Sequence, residues 1–318
     1  MKPTPSQPPP RKRPRQQAAA PRAGILAALW LPMDARGRLL KTALRENINW
    51  LREKGIYGIL ALGSTGEFAR LTLAQRLEAL EAVAELAPDL PLIANITSIR
   101  LDEVVAVGRR AKALGYAGAA IMPPPFYPIN PNDMLAFFLA AAGAVKLPFY
   151  LYNFPELSGK RIGIEVVRRF AEKADMAGIK QSGGEVEYHK ELIALGQKKR
   201  FSVFTGQDCR LPEMFAWGAD GCIGGLTNIV PDIMIDIYKM CREGRSGDLE
   251  KAGRRMGQVG QVAARLNFPL EVMAGMEAMG RPVGAAKQIV SPQTAKLYAQ
   301  VVAAYKKLFA SWKKEDAV

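Results

Sequence analysis

The residues best suited to chemistry stand where short apolar runs stop. "MAGIK" ends on Lys180 and breaks at once into "QSGG", "FYLYN" carries Tyr152 next to its end, and "ILAL" runs into "GSTGEF" with Gly63, Ser64 and Thr65. Desolvation at the mouth of a core element disfavours an ammonium group and leaves an amine that attacks carbonyl carbons. A tyrosine hydroxyl on a neighbouring run can shuttle the protons that such an attack requires. The glycine-rich turn offers hydroxyls and backbone N–H groups to an anion. It lacks the GK[ST] ending of a nucleotide loop, so a carboxylate suits it better than a nucleotide phosphate. Taken singly, Lys180 reads as a solvated strand end, Tyr152 as a core aromatic and the turn as mere geometry. Taken together, they read as one site.

Such residues converge only if the elements carrying them point the same way. From Gly24 the chain alternates short apolar runs ("GILAALWLPM", "YGILALG", "PLIANI", "GAAIMPP", "PFYLYN", "MAGIK", "FSVFTG", "GCIGG") with helical patterns. Continuous apolar runs instead of period-two alternation mean strands buried on both faces, hence a parallel sheet. Eight such units predict an α/β fold, a (β/α)₈ TIM barrel over residues 24–228, whose C-terminal strand ends carry function. An open doubly wound sheet is the runner-up, and no GxGxxG supports it. Residues 229–318 are helical in pattern and form an appendage; residues 1–23, proline-rich and basic, read as a disordered tail. Thr72 and Gln75 form a capping box before "LAQRLEAL". Strict alternation in "MAGIK" puts Met176 and Gly178 on the face of Lys180, with Gly178 leaving space below the amine.

Composition removes several classes of function. The only histidine, His189, falls in an amphipathic helical pattern and reads as a surface residue, so a histidine-based hydrolase or a zinc aldolase lacks the histidines it normally needs. No metal and no cofactor are expected. Three cysteines without CxxC spacing, Cys209, Cys222 and Cys241, suit reduced thiols in a cytoplasmic protein. No apolar run reaches the length of a membrane span. The net charge is +14, of which the first 24 residues, with six Lys/Arg and no acid, contribute six; the body keeps +8, a bias toward small anions. Basic residues interleaved with aromatics are missing, so no nucleic-acid partner is expected.

"GSTGE", "YNFP" and "GIKQSGG", in this order and spacing, resemble the dihydrodipicolinate synthase/N-acetylneuraminate lyase family of class I, pyruvate-handling aldolases, over residues 24 to about 310. The resemblance implies a Schiff base between Lys180 and pyruvate or another 2-oxo acid. Tyr152 would be the acid/base, and Ser64 and Thr65 would position the carboxylate and the proton relay. It also implies a homo-oligomer, a tetramer built as a dimer of dimers, in which Phe126 or Tyr127 is lent to a neighbour's site. Gly206, Asp208 and Gly225 would line the substrate pocket, with Cys209 and Gly225 standing where the lyases have glutamate and serine. Leu31 replaces a usual threonine, and Leu157 replaces the arginine with which synthases hold an aldehyde's carboxylate. The expected activity is therefore lyase-like: cleavage or formation of a 2-oxo-3-deoxy sugar acid with pyruvate as one partner. The enzymatic alternative is dihydrodipicolinate synthase, with Lys160 or Arg161 as the missing cation. The alternative from another class is a non-catalytic ligand-binding barrel that uses its basic tail for contacts.

Overall fold

A computed structural model describes residues 18–245 and 247–316. Eight parallel strands close into a barrel in sequence order: β1 (Gly24–Ala28), β2 (Gly58–Ala61), β3 (Leu92–Asn95), β4 (Gly118–Ile121), β5 (Phe149–Asn153), β6 (Met176–Gln181), β7 (Ser202–Thr205) and β8 (Gly221–Gly224), with β8 pairing back to β1. Every strand residue is buried, as the continuous apolar runs require. Alternate residues divide between two cores. Leu26, Leu60, Ile93, Ala120, Phe204 and Ile223 fill the barrel, whereas Ile25, Ile59, Leu92, Ile121 and Leu151 face the helical ring. The capping box forms as expected: Thr72 N–H donates to Gln75 Oε1 at 2.8 Å and Gln75 N–H to Thr72 Oγ1 at 3.3 Å.

Strand β6 departs from strict alternation. Its pairing with β5 runs Phe149 to Met176 and then Tyr150 to Gly178, so Ala177 is an extra residue on the β6 side. The bulge turns Ala177 into the barrel and sends Met176 out to the helical ring with Ile179. Met176 therefore does not share the face of Lys180. Nor is the position beside Gly178 empty, because a side-chain carbon there would meet Ser202 O at 2.7 Å and the Tyr150 ring at 3.0 Å. The glycine admits Tyr150 as filling beneath the site.

The N-terminal end of the barrel is closed by residues expected in the tail. Tyr150 Oη donates to Pro21 O (2.6 Å), Arg22 Nη1 to Ala177 O (3.0 Å) and Ser202 Oγ to Arg22 O (2.7 Å), while Ala20 packs on the inner core. Residues 1–17 of that expected tail lie outside the described residues.

At the other terminus, the helix Pro231–Glu243 lies beyond the boundary expected at residue 228, yet it packs on β1 and completes the ring. The appendage proper consists of the helices Leu249–Ala263, Leu270–Ala278 and Pro292–Glu315. It is pinned over the C-terminal mouth: Trp30 Nε1 donates to Val283 O (2.9 Å), and Lys287 pairs with Glu67 (3.2 Å) beneath the surface. No helix among the described residues is long and apolar enough to cross a membrane.

Candidate active site

A cavity of about 330 Å³ opens between the C-terminal strand ends and the appendage, and Thr65, Tyr152, Lys180, Gly206, Asp208 and Gly225 all line it. Tyr152 and Lys180 are direct partners in the β5–β6 pairing, so sheet register places their side chains together. The Lys180 ammonium nitrogen lies 4.4 Å from the Tyr152 ring centroid, and the residue is 5% exposed. Ser64 Oγ and Tyr152 Oη are 3.2 Å apart, a hydrogen bond that either can donate. It joins the β2 turn to the phenol as a proton relay requires.

The surrounding strand ends hold this pair rigidly. Asn153 Nδ2 donates to Gln181 Oε1 (2.7 Å), Ser182 N–H to Asn153 O (2.9 Å), and Gln207 Nε2 to Ser182 O (2.7 Å). Three consecutive strands are thus tied across the lysine. Gly206 is required by this weave, since a side-chain carbon would fall 2.1 Å from Ser182 Oγ. Gly66 lets the "GSTGE" turn pack on β1, where a side-chain carbon would approach Leu29 O to 3.0 Å.

Asp208 lines the cavity but spends its carboxylate on the β8 end. Leu226 N–H donates to Oδ2 at 2.8 Å and Cys222 Sγ to Oδ1 at 3.4 Å. Burial raises its pKa, against the pull of those bonds and of the Lys180 charge. Gly225 stands opposite Thr65, whose Oγ1 would be 3.1 Å from any side-chain carbon there. Cys209 also lines the cavity, partly open to solvent. Phe126 and Tyr127, by contrast, pack edge-to-face on each other, remain 82% and 65% exposed, and do not line this cavity. Leu157 borders a second cavity of about 260 Å³ beyond Ser64, sharing Phe268 with the first. Arg161 is committed elsewhere, stacked over Tyr188 at 4.2 Å and paired with Glu185 at 3.0 Å. Among the described residues, Lys180 is the only cation on the main cavity's wall.

Two acid–base groups were misread or missed in the sequence. Glu271 lines the cavity from the appendage, and burial pushes its pKa up to about 7. His189 is not a surface residue: it is 1% exposed, its Nε2 has no hydrogen-bond partner among the described residues, and burial aided by the Arg210 charge pushes its pKa down to about 4. The fold therefore holds the imidazole neutral. An unfolded histidine titrates near pH 6.5, so stability present above that pH is lost as pH falls toward 4. The expected loss at pH 5 relative to neutrality is on the order of 2 kcal/mol. Urea midpoints of the parent and of His189→Leu check this: the parent should lose stability relative to the variant on acidification, and a constant gap refutes it.

Comparison with known proteins follows the same lines as the geometry. A family model described as "Dihydrodipicolinate synthetase family" matches residues 21–308. The chain is 30% identical over 266 residues, 82% of this chain and 88% of the other, to the Escherichia coli K12 protein named "Probable 2-dehydro-3-deoxy-D-pentonate aldolase YjhH". It is 26% identical over 272 residues, 86% and 93% of the two chains, to the 4-hydroxy-tetrahydrodipicolinate synthase of Methanococcoides burtonii. Among solved structures, YagE of E. coli K12 in complex with pyruvate superposes with a TM-score of 0.84 at 24% identity, covering 90% of this chain and 98% of that one.

Proposed function

This chain belongs to the dihydrodipicolinate synthetase family, a family of pyruvate-dependent lyases and aldolases, and on that premise we propose that it is a class I aldolase for a 2-oxo-3-deoxy sugar acid. The observation that carries the reading is Lys180 buried beside Tyr152, with Ser64 hydrogen-bonded to that phenol at 3.2 Å. In the cleavage direction, the Lys180 amine adds to the C2 carbonyl and water leaves, giving a protonated imine. Tyr152 takes the C4 hydroxyl proton through the relay with Ser64; the C3–C4 bonding electrons move into the imine as an enamine, and the aldehyde departs. Protonation at C3 and hydrolysis release pyruvate and restore the amine. Thr65 and the N–H groups of the turn would hold the substrate's carboxylate.

A wall with Asp208 and Glu271 and, among the described residues, no second cation suits an uncharged, hydroxylated aldehyde. The synthase activity named for several relatives is the second reading, and it requires a cation for the semialdehyde carboxylate. Leu157 supplies none, and Arg70 beside it in the second cavity is already paired with Glu67 at 2.9 Å. Phe126 and Tyr127 are free on this chain to reach a neighbouring copy, in keeping with a homo-oligomer. Incubation with pyruvate and either glycolaldehyde or aspartate semialdehyde separates the readings. The expected result is a 2-oxo-3-deoxy acid from glycolaldehyde, at roughly tenfold or greater kcat/KM over the semialdehyde. Pyruvate consumption that depends on the semialdehyde alone would install the synthase reading instead.

A further inference from the structure

Glu271 belongs to the appendage, in the first turn of the helix Leu270–Ala278, and lines the same cavity as Lys180 and Tyr152. It is 9% exposed, and its Oε2 is buried with no hydrogen-bond partner among the described residues. Leaving a carboxyl in that state is costly, so its retention on a cavity wall calls for an occupant that supplies the bond. Its surroundings sharpen the choice of occupant. Asp208 and Cys209 face this region from the segment after β7, and Tyr305 faces it from the helix Pro292–Glu315, its hydroxyl also buried without a partner among the described residues. All are neutral or negative groups. A neutral hydroxyl donor is welcome there; a second carboxylate is not.

We propose that Glu271 selects the aldehyde half of the substrate, accepting hydrogen bonds from its hydroxyls beyond C4 and turning away aldehydes that carry an acid of their own. This rests on the aldolase reading above. The position is consistent with that division of labour: Lys180, Thr65 and the β2 turn hold the pyruvate end from the barrel, and the appendage closes over the remainder. Burial pushes the Glu271 carboxyl up to about 7, with Asp208 adding to the rise and the first-turn N–H groups opposing it, so the wall gains negative charge as pH rises through neutrality. Discrimination against acidic aldehydes should strengthen over the same range.

The test compares kcat/KM for glycolaldehyde with that for aspartate semialdehyde, at saturating pyruvate and at about pH 6 and pH 8.5, in the parent, Glu271→Gln and Tyr305→Phe. Borohydride trapping of pyruvate in each protein reports whether the lysine end is assembled. In the parent the ratio should rise with pH; in Glu271→Gln it should fall by roughly tenfold or more and lose its pH dependence, with the change in KM for the aldehyde. An unchanged ratio in a Glu271→Gln protein that still traps pyruvate overturns the proposal. So does an equal change in Tyr305→Phe, which would assign the effect to packing between the two helices. Failure of the parent to trap pyruvate on Lys180 would instead remove the aldolase reading itself, a different result read in a different assay.

Discussion

Lys180→Ala is expected to lose the pyruvate adduct altogether and to lower turnover by roughly 10⁴-fold or more, the scale on which removing a covalent nucleophile acts. The size of the effect follows from the absence of a substitute. Among the cavity-lining residues no other side chain carries an amine, and the ties among Asn153, Gln181, Ser182 and Gln207 leave no slack to bring one in. Lys180→Arg should fail equally, because a guanidinium retains the charge but cannot form the imine. Borohydride reduction with pyruvate, followed by intact mass and peptide mapping, reads the outcome directly. An adduct that persists in the alanine variant would sink the imine mechanism, since the carbon would then be held by some other group.

The barrel was legible because a parallel strand buried on both faces has to be apolar throughout, and only its last residues are free to be polar. That is why Lys180, Tyr152, Ser64 and Thr65 stood out: each follows or ends an apolar run; the cavity gathers Lys180, Tyr152 and Thr65, and Ser64 joins them through its hydrogen bond to Tyr152. What periodicity cannot carry is a change of register. The extra residue in β6 swaps Met176 for Ala177 inside the barrel, and nothing in "MAGIK" announces it. The closure of the barrel base was hidden for a related reason. Pro21 and Arg22 bond through their carbonyl groups to Tyr150 and Ser202, so side-chain composition reads as tail where the backbone is anchored.

Glu271 escaped because it sits in a segment without strand or motif. Its signal was present all the same: every residue from Leu270 to Met276 is buried, and Glu271 is the one acid within that apolar stretch, which calls for an explanation. His189 was misjudged by the same logic in reverse, since its helix is amphipathic and a polar residue beside charged neighbours is assigned outward by default. Its place against Leu192 and Ile193, both buried on the same helix, puts it on the inner face. Phe126 and Tyr127 stay apart from the cavity of their own chain, because the loop that carries them leaves both rings exposed and packed on each other.

Tyr152→Phe separates imine formation from carbon–carbon cleavage, and it is the second large effect expected. The phenol is stacked on Phe154 with ring centroids 6.3 Å apart, and phenylalanine preserves that packing while removing the oxygen that meets Ser64. Losing a positioned acid/base costs roughly 10²–10⁴-fold. The loss should fall on cleavage of the sugar acid, whereas pyruvate should still be trapped on Lys180 at long incubation, because the amine is untouched. Ser64→Ala removes only the relay partner and should cost less, roughly tenfold, with the phenol still in place. Single-turnover cleavage measured beside the trapping yield distinguishes the roles. If Tyr152→Phe lowers the extent of trapping as severely as the cleavage rate, the phenol serves chiefly to assemble the imine. If cleavage alone collapses, its proton belongs to the C4 hydroxyl, and a parallel, smaller loss of cleavage in Ser64→Ala with trapping intact makes the hydrogen bond to Ser64 the route by which that proton moves.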